Sequence, residues 1–556
     1  MMNFKRYRRN PVIELPDRQW PNNEISKAPI WCSVDLRDGN QALIEPMIVE
    51  EKIEFFQLLV NLGFKEIEVG FPSASQIEYD FLRQLIDRKL IPDDVTVQVL
   101  VQCREHLLKR TFEALEGLPR AIVHIYNSVS ILQRDVVFNM GKEQIKNIAV
   151  EGTKLVKEYA KAFPGEIMLE YSPESFSGTE VDYALEVCSA VIDTWEPTPQ
   201  NKIIINLPST VEMNTPNVYA DQIEWMNRNF KNRDSIILSV HPHNDRGTGI
   251  AATELAILAG ADRVEGTLFG NGERTGNVDI LTIAYNLFSQ GIDSKLNIAS
   301  INDIIETYER LTKMKVHERH PYAGKLVFTA FSGSHQDAIN KGMHAMTERN
   351  SPIWAVPYLP IDPSDIGRSY EPVVRINSQS GKGGVAFIME NYFGFKLPKG
   401  MHKEFADVIQ ALSEEQGEVA PDQIMDEFKR CYIDKKEPLH FRKCKFEDIT
   451  ETEDGCTHAV VRYTDQGVER SFEASGNGPI DAVLKGLQEE LGIHIKVLDY
   501  TEHALGGGAG AQAAAYIHML DMSTSKTTFG VGVSSNITRA SIRAIFSAMN
   551  RLGIGQ

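Results

Sequence analysis

The run His241-Pro242-His243 sets two imidazoles two residues apart, and in an extended segment side chains at i and i+2 point to the same face. Such a pair can grip one ion. With the carboxylate of Asp38 it would form a two-histidine, one-carboxylate site with open positions, suited to a divalent cation acting as a Lewis acid. Asp245, just beyond the pair, suits support of the ligands better than ligation. Arg37 sits beside Asp38 and has donors to spare. A salt bridge to Glu68 would fix its guanidinium while the remaining N–H groups meet negative charge developing on a substrate oxygen. The glycine-rich run 270–277 lacks the lysine of a P-loop and reads as a tight turn covering a substrate. A second glycine run, 506–511, mimics a dinucleotide fingerprint but has no βαβ frame around it.

These residues are scattered along the chain, so the ends of several elements must gather them. Eight Val/Ile-rich runs, at 30–36, 66–71, 96–101, 121–128, 167–172, 202–207, 235–240 and 263–269, read as strands buried on both faces of a parallel sheet. Helical periodicity fills the gaps: Val49, Ile53, Phe56 and Val60 share one face before Gly63, and 247–259 stops in the same way at Gly260. Eight β/α units in about 250 residues predict a (β/α)8 TIM barrel, with a doubly wound open sheet as the alternative. In a barrel the strand C-termini carry function. Here they lead to Arg37 and Asp38, Glu68, His124, Glu170 to Ser172 and Glu174, Asn206 to Thr210, His241 to Asp245, and the 270–277 turn.

The 556 residues carry 58 Lys+Arg against 76 Asp+Glu, a formal charge of −18 that would repel a polyphosphate backbone, so nucleic acid is not an expected partner. Any anionic substrate needs a local cluster of donors or a metal. Six cysteines without a C-x-x-C pair suit reduced thiols and a cytoplasmic setting, and no run suggests a membrane span or a signal peptide. The organisation expected is an N-terminal arm at 1–28 with a solvated basic start, a catalytic barrel at 29–325, a connector at 326–440 and a C-terminal domain at 441–556. The connector reads as irregular and partly helical over 313–380, then helical and charged over 401–430. In the tail, 470–492 and 527–553 each run strand, turn, helix, which predicts a small α+β domain with an internal repeat.

The motifs DLRDGNQ (35–41), HPHND (241–245) and GNGERTGN (270–277), with SGSHQD (332–337) and VPYLPIDP (356–363), resemble the 2-isopropylmalate synthase family. That family belongs to the metal-dependent barrel superfamily that also contains homocitrate synthase, citramalate synthase and hydroxymethylglutaryl-CoA lyase. The resemblance covers nearly the whole chain, and Asn40, where many short relatives carry Glu, is similar to the longer branch.

The resemblance implies condensation of acetyl-CoA with 2-oxoisovalerate and hydrolysis of the thioester, giving 2-isopropylmalate and CoA. It implies one divalent cation (Mg2+, Mn2+ or Zn2+) on Asp38, His241 and His243, with Asn277 as a nearby or fourth group, and K+ as a candidate activator. Arg37 would stabilise the alkoxide, Thr210 would hold the substrate carboxylate, and Glu174 and His335 are the candidate bases, with Tyr358 nearby. His335 and Tyr358 would reach the mouth of a neighbouring subunit, making the active unit a homodimer. Leu100, His124, Tyr126, Ser172 and Asn206 would line the pocket for the 2-oxo acid side chain. Apolar Leu100 suits an isopropyl group, and it offers no cation to a second carboxylate, which disfavours the homocitrate reaction; other 2-oxo acids, as in citramalate synthase, are the alternative substrates. The tail is similar to a leucine-binding regulatory domain: Gly506 and Gly508 would let backbone N–H groups approach an amino-acid carboxylate, and Ala511 would leave room for a branched side chain. A lyase running C–C cleavage and a non-catalytic amino-acid sensor are the competing readings.

Overall fold

A computed structural model describes residues 2–8, 12–330, 332–370, 382–416, 419–433, 435–449, 456–506 and 511–554. The chain divides into two compact units, one of Met1–Val327 with Ile361–Ser369, the other of Phe328–Pro360 with Tyr370–Gln556.

In the first unit eight parallel strands close into a barrel in chain order: β1 Ile30–Ser33, β2 Glu66–Gly70, β3 Thr96–Gln102, β4 Arg120–Ser128, β5 Glu166–Glu174, β6 Ile203–Ser209, β7 Ile236–Pro242 and β8 Arg263–Gly266. β1 pairs with β8 in parallel through Ile30 and Arg263 to Ser33 and Gly266, which closes the ring. The open-sheet alternative is thereby excluded. The strands are buried almost end to end because helices cover them outside and side chains fill the lumen. The helix Val49–Asn61 ends at Gly63 with φ +95°, and Gly249–Leu258 ends at Gly260 with φ +108°, so both predicted stops are left-handed glycines.

Two strands are shorter than their apolar runs suggest, and both truncations serve the site. After Ser33 the chain leaves β1 for a single wide helical turn, Asp35–Gly39, which carries Arg37 and Asp38. After Gly266 it leaves β8 for a short turn through Phe269, whose φ is +57°. Conversely β5 runs two residues past its apolar stretch, to Glu174.

The N-terminal arm is tied to the barrel rather than loose over its whole length. Arg18 pairs with Asp221 at 2.8 Å, and the backbone N–H groups of Gln19 and Trp20 donate to Glu224. Residues 361–369 also pack with the barrel unit instead of the connector that surrounds them in sequence. Ile361 and Ile366 are buried there, and Arg368 donates to the Ala323 carbonyl at 2.6 Å.

The second unit contains the connector helices and the tail. Within the stretch expected to be irregular, the helix Gly333–Arg349 spans 17 residues. The tail holds two three-stranded antiparallel sheets, each followed by a helix. The first is β9 Leu439–Ile449, β10 Cys456–Asp465 and β11 Val468–Gly476 with the helix Pro479–Leu491; the second is β12 Ile495–Leu505, β13 Gln512–Asp521 and β14 Thr527–Ser534 with Ile537–Leu552. The internal repeat is therefore a three-strand-plus-helix unit, larger than the strand–helix pair visible in sequence. The two helices and both sheets share one apolar core, including Phe472, Leu487, Ile517 and Phe546. No helix among the described residues is long and apolar enough to cross a membrane.

Candidate functional site

A cavity of about 360 Å³ opens at the C-terminal end of the barrel strands. It is lined by Arg37, Asp38, Leu100, His124, Tyr126, Ser172, Glu174, Asn206, Thr210, His241 and His243, so eleven residues singled out from sequence converge on one space. Glu68 lies beneath it, fully buried, and Asn277 is buried against the ligand cluster.

Ligand atoms of Asp38, His241 and His243 lie within 4.8 Å of one another. His241 Nε2 is 3.0 Å from Asp38 Oδ2, His243 Nε2 is 3.9 Å from the same oxygen, and Asn277 Nδ2 donates to it at 3.0 Å. Two buried polar atoms here have no hydrogen-bond partner, Nδ1 of His243 and Oδ1 of Asn277. Buried polar atoms without partners are costly and point to a missing ligand. Borderline nitrogen donors and one carboxylate oxygen make a donor set that fits a divalent cation.

The electrostatics agree. Burial would raise the Asp38 carboxyl, but the Arg37 charge and the hydrogen bond from His241 hold it far below the usual carboxylate range. His241 is pushed up to about 9: burial opposes its charge, but bonds to Asp38 and Glu265 outweigh that. His243 is pushed down to about 4 by burial and by the charge of His241, which leaves its ring neutral. Asp245 is engaged elsewhere, pairing with Arg274 at 2.7 Å and accepting the Glu212 N–H at 3.0 Å, so it braces the loop rather than joining the cluster.

Arg37 bridges two carboxylates, its Nε donating to Glu68 Oε1 and its Nη1 to Asp38 Oδ1. The salt bridge to Glu68 expected from sequence is present, and the pair to Asp38 adds a second anchor. Its Nη2 makes no hydrogen bond among the described residues. Glu68 is a pure acceptor, so His124 must donate to it through Nδ1, at 2.9 Å. Nε2 of His124 then accepts from the Ser172 hydroxyl at 2.7 Å, while Ser172 Oγ accepts from Asn206 Nδ2 at 3.0 Å. This chain resembles a serine–histidine–carboxylate triad, yet every proton in it is already committed. It forms a polar wall beside Leu100 whose protons are all engaged, with Oδ1 of Asn206 left without a partner.

Thr210 Oγ1 accepts the Ser175 N–H at 2.9 Å, which leaves its own proton to give away. Glu174 Oε2 accepts from the Ser128 hydroxyl. His335 and Tyr358 belong to the second unit, where both are exposed and their rings lie 4.1 Å apart, centre to centre. Gly506 closes β12 with φ +84° and Ala511 precedes β13; Gly508 lies outside the described residues.

Sequence reasoning missed the layer beneath the cavity. Gln98, Arg263 and Glu265 are fully buried in the lumen, and Glu265 Oε2 accepts from His241 Nδ1 at 2.7 Å. Their signal was present: Arg263 and Glu265 are charged residues two apart in a strand buried on both faces, so both must point into the barrel. Glu273 and Gln41, 2.9 Å apart at the rim, were passed over as parts of longer motifs.

Three family models match the chain. The HMGL-like family covers residues 28–307, the alpha-isopropylmalate synthase post-catalytic domain-like family residues 325–390, and the LeuA allosteric (dimerisation) domain residues 418–553. The chain is 56% identical over 556 residues to a curated 2-isopropylmalate synthase of Clostridium acetobutylicum, covering 99% of each chain. It is 54% identical over 547 residues to a 2-isopropylmalate synthase of Brucella suis biovar 1, covering 98% of each. It is 53% identical over 555 residues to one of Parafrankia sp., covering 99% of this chain and 98% of that one.

Proposed function

The chain belongs to the 2-isopropylmalate synthase family, and from that premise we propose how its residues divide the condensation of acetyl-CoA with 2-oxoisovalerate and the hydrolysis of the resulting thioester. The observation that carries this reading is the convergence of Arg37, Asp38, His241 and His243 on a cavity whose side wall is Leu100.

The family is divalent-metal dependent, and Asp38, His241 and His243 would hold the cation, Mg2+, Mn2+ or Zn2+, with Asn277 beside them. The chemistry a bound cation would supply there is Lewis-acid polarisation of a 2-oxo acid's carbonyl. Arg37, locked by Glu68 and Asp38, turns its unused N–H groups toward the oxygen that gains negative charge as the acetyl carbon attacks. Thr210 donates its free proton to the substrate carboxylate.

A thioester methyl is a weak acid and needs a positioned base. Glu174 lines the cavity and is one candidate; His335, whose ring lies tilted against that of Tyr358, is the other. We assign His335 and Tyr358 to the site of a neighbouring subunit, so that the working unit is a homodimer; the match to a dimerisation domain supports this.

Selectivity follows from what the wall does not offer. The protons of His124, Ser172 and Asn206 are committed to one another and to Glu68, and the two arginines lining the cavity are paired, Arg37 with Glu68 and Asp38, Arg274 with Asp245. Among the described residues no unpaired cation there awaits a second carboxylate, so 2-oxoglutarate is disfavoured and a branched apolar side chain fits. Leucine, binding near Gly506 and Ala511 between β12 and β13, would act as effector through the tail. The six free cysteines suit a reducing cytoplasm.

Supplying acetyl-CoA labelled with 13C in its methyl carbon together with 2-oxoisovalerate tests this: the label should appear in 2-isopropylmalate. The Asp38→Asn variant should yield none. Label recovered only in acetate would overturn the condensation.

A further inference from the structure

Below the cavity, four buried side chains from three strands form one hydrogen-bonded unit: Gln98 on β3, Ser239 on β7, and Arg263 and Glu265 on β8, with Glu66 of β2 at its edge. Arg263 is its hub. Its Nε donates to Glu66 at 2.5 Å, its Nη1 to Ser239 and to Glu265 Oε1, each at 2.9 Å, and its Nη2 to Gln98 Oε1 at 2.6 Å. That last bond fixes the Gln98 amide, so its NH2 must face the two neighbouring carboxylates. It donates to Glu265 Oε1 at 2.9 Å and to Glu68 Oε2 at 2.7 Å. One amide thus ties together the two carboxylates that anchor the site, Glu68 under Arg37 and Glu265 under His241.

Glu265 is surrounded by donors. Oε1 receives Arg263 and Gln98; Oε2 receives Asn206 Nδ2 at 3.1 Å and faces His241 Nδ1 at 2.7 Å. A group holding three other donors can only accept, so His241 must present N–H at Nδ1. Its Nε2, which gives a proton to Asp38 while the ring is doubly protonated, is then the nitrogen whose lone pair would face a cation held with Asp38 and His243. We propose that Glu265, held rigid by Arg263 and Gln98, is a positioning residue that fixes the ring orientation and tautomer of His241 and thereby sets the metal affinity of the site. This rests on Asp38, His241 and His243 being the metal ligands. Partners of metal-bound histidines commonly change affinity 10–100-fold when removed.

The substitution Glu265→Gln puts a donor where only an acceptor fits. Its NH2 must face either Arg263 and Gln98 or His241 and Asn206, and every one of those is a donor. Facing His241, it forces the wrong tautomer. Glu265→Asp keeps the charge against Arg263 but falls a methylene short of His241, so it tests positioning in a fold whose charge balance is intact. Calorimetric titration of the metal-stripped full-length protein with Mn2+ alone should show Kd raised about 10–100-fold in both variants. Activity should return toward the wild-type kcat as Mn2+ is raised, because the defect lies in occupancy. Thermal melts of the metal-free proteins form the control: a purely structural role would lower Tm and leave Kd unchanged. Unaltered Mn2+ affinity in Glu265→Asp, with binding abolished in Asp38→Asn, overturns the proposal. Unaltered affinity in Asp38→Asn overturns instead the assignment of the site on which it rests.

Discussion

Arg37→Gln should cost activity and stability through two separable bonds. The guanidinium lies between Glu68, which is fully buried, and Asp38, which is 8% exposed. Removing one partner of a buried ion pair typically costs about 3–5 kcal/mol. Glu68 retains hydrogen bonds from His124 at 2.9 Å and Gln98 at 2.7 Å, so the lower end, about 3 kcal/mol, is expected. At roughly 2 °C per kcal/mol for a large domain, Tm should fall by about 6 °C. Loss of a donor to the developing oxyanion should lower kcat by about 10²–10³. Adding Glu68→Gln to Arg37→Gln removes the stranded charge, so Tm should recover substantially while kcat stays low. Release of free CoA thiol gives kcat, and differential scanning calorimetry gives Tm. Recovery of kcat together with Tm in the double variant, or a kcat within about threefold of wild type in Arg37→Gln, would refute the assignment of Arg37 to the reacting oxygen, since one lost donor there should cost far more.

Leu100→Ala should widen the pocket and shift relative kcat/KM by about tenfold toward bulkier 2-oxo acids, within the roughly 1–3 kcal/mol that one methylene commands in an apolar pocket; an unchanged profile across a substrate panel would remove Leu100 from the wall. Mixing inactive Asp38→Asn with inactive His335→Ala subunits should restore about a quarter of wild-type activity per dimer if His335 works across the interface, by random pairing of one intact site in half the dimers; no recovery after verified subunit exchange would place both residues on one chain. Glu180 is brought down to about 2, because the hydrogen bonds from Arg134 and Lys142 outweigh the burial that opposes its charge. A depressed carboxylate stabilises the fold above its unfolded value and loses that contribution as pH falls toward the folded one. Glu180→Gln should therefore cost about 1 kcal/mol at pH 7, reduced from the full linkage value by solvent screening, and the difference should shrink below about pH 4.5; a difference in denaturation midpoint that persists undiminished at pH 3 would contradict it.

The residues at strand ends were legible in the sequence because a parallel barrel makes the strand period and the functional face coincide: each apolar run stops where a polar group begins. His241 and His243 could be paired by alternation alone, and Asp38 joined them only because β1 closes onto β8. The same alternation, applied inside β3 and β8, would have found Gln98, Arg263 and Glu265. Those positions are harder to read because a lone polar residue in a buried strand has no partner until neighbouring strands are registered. The wide turn Asp35–Gly39 was invisible for a different reason, since its residues continue the apolar pattern of β1 through Leu36. The return of residues 361–369 to the barrel depends on tertiary contacts such as Arg368 with the Ala323 carbonyl, which no local period encodes.

Whether a divalent cation on Asp38, His241 and His243 serves condensation onto a branched 2-oxo acid is decided by CoA release from acetyl-CoA with 2-oxoisovalerate, pyruvate and 2-oxoglutarate, using chelator-stripped protein before and after Mn2+ is restored. The expected result is no turnover without metal and, on its return, the highest kcat/KM for 2-oxoisovalerate with 2-oxoglutarate the poorest. Full activity in stripped protein, or a preference for 2-oxoglutarate, would contradict it.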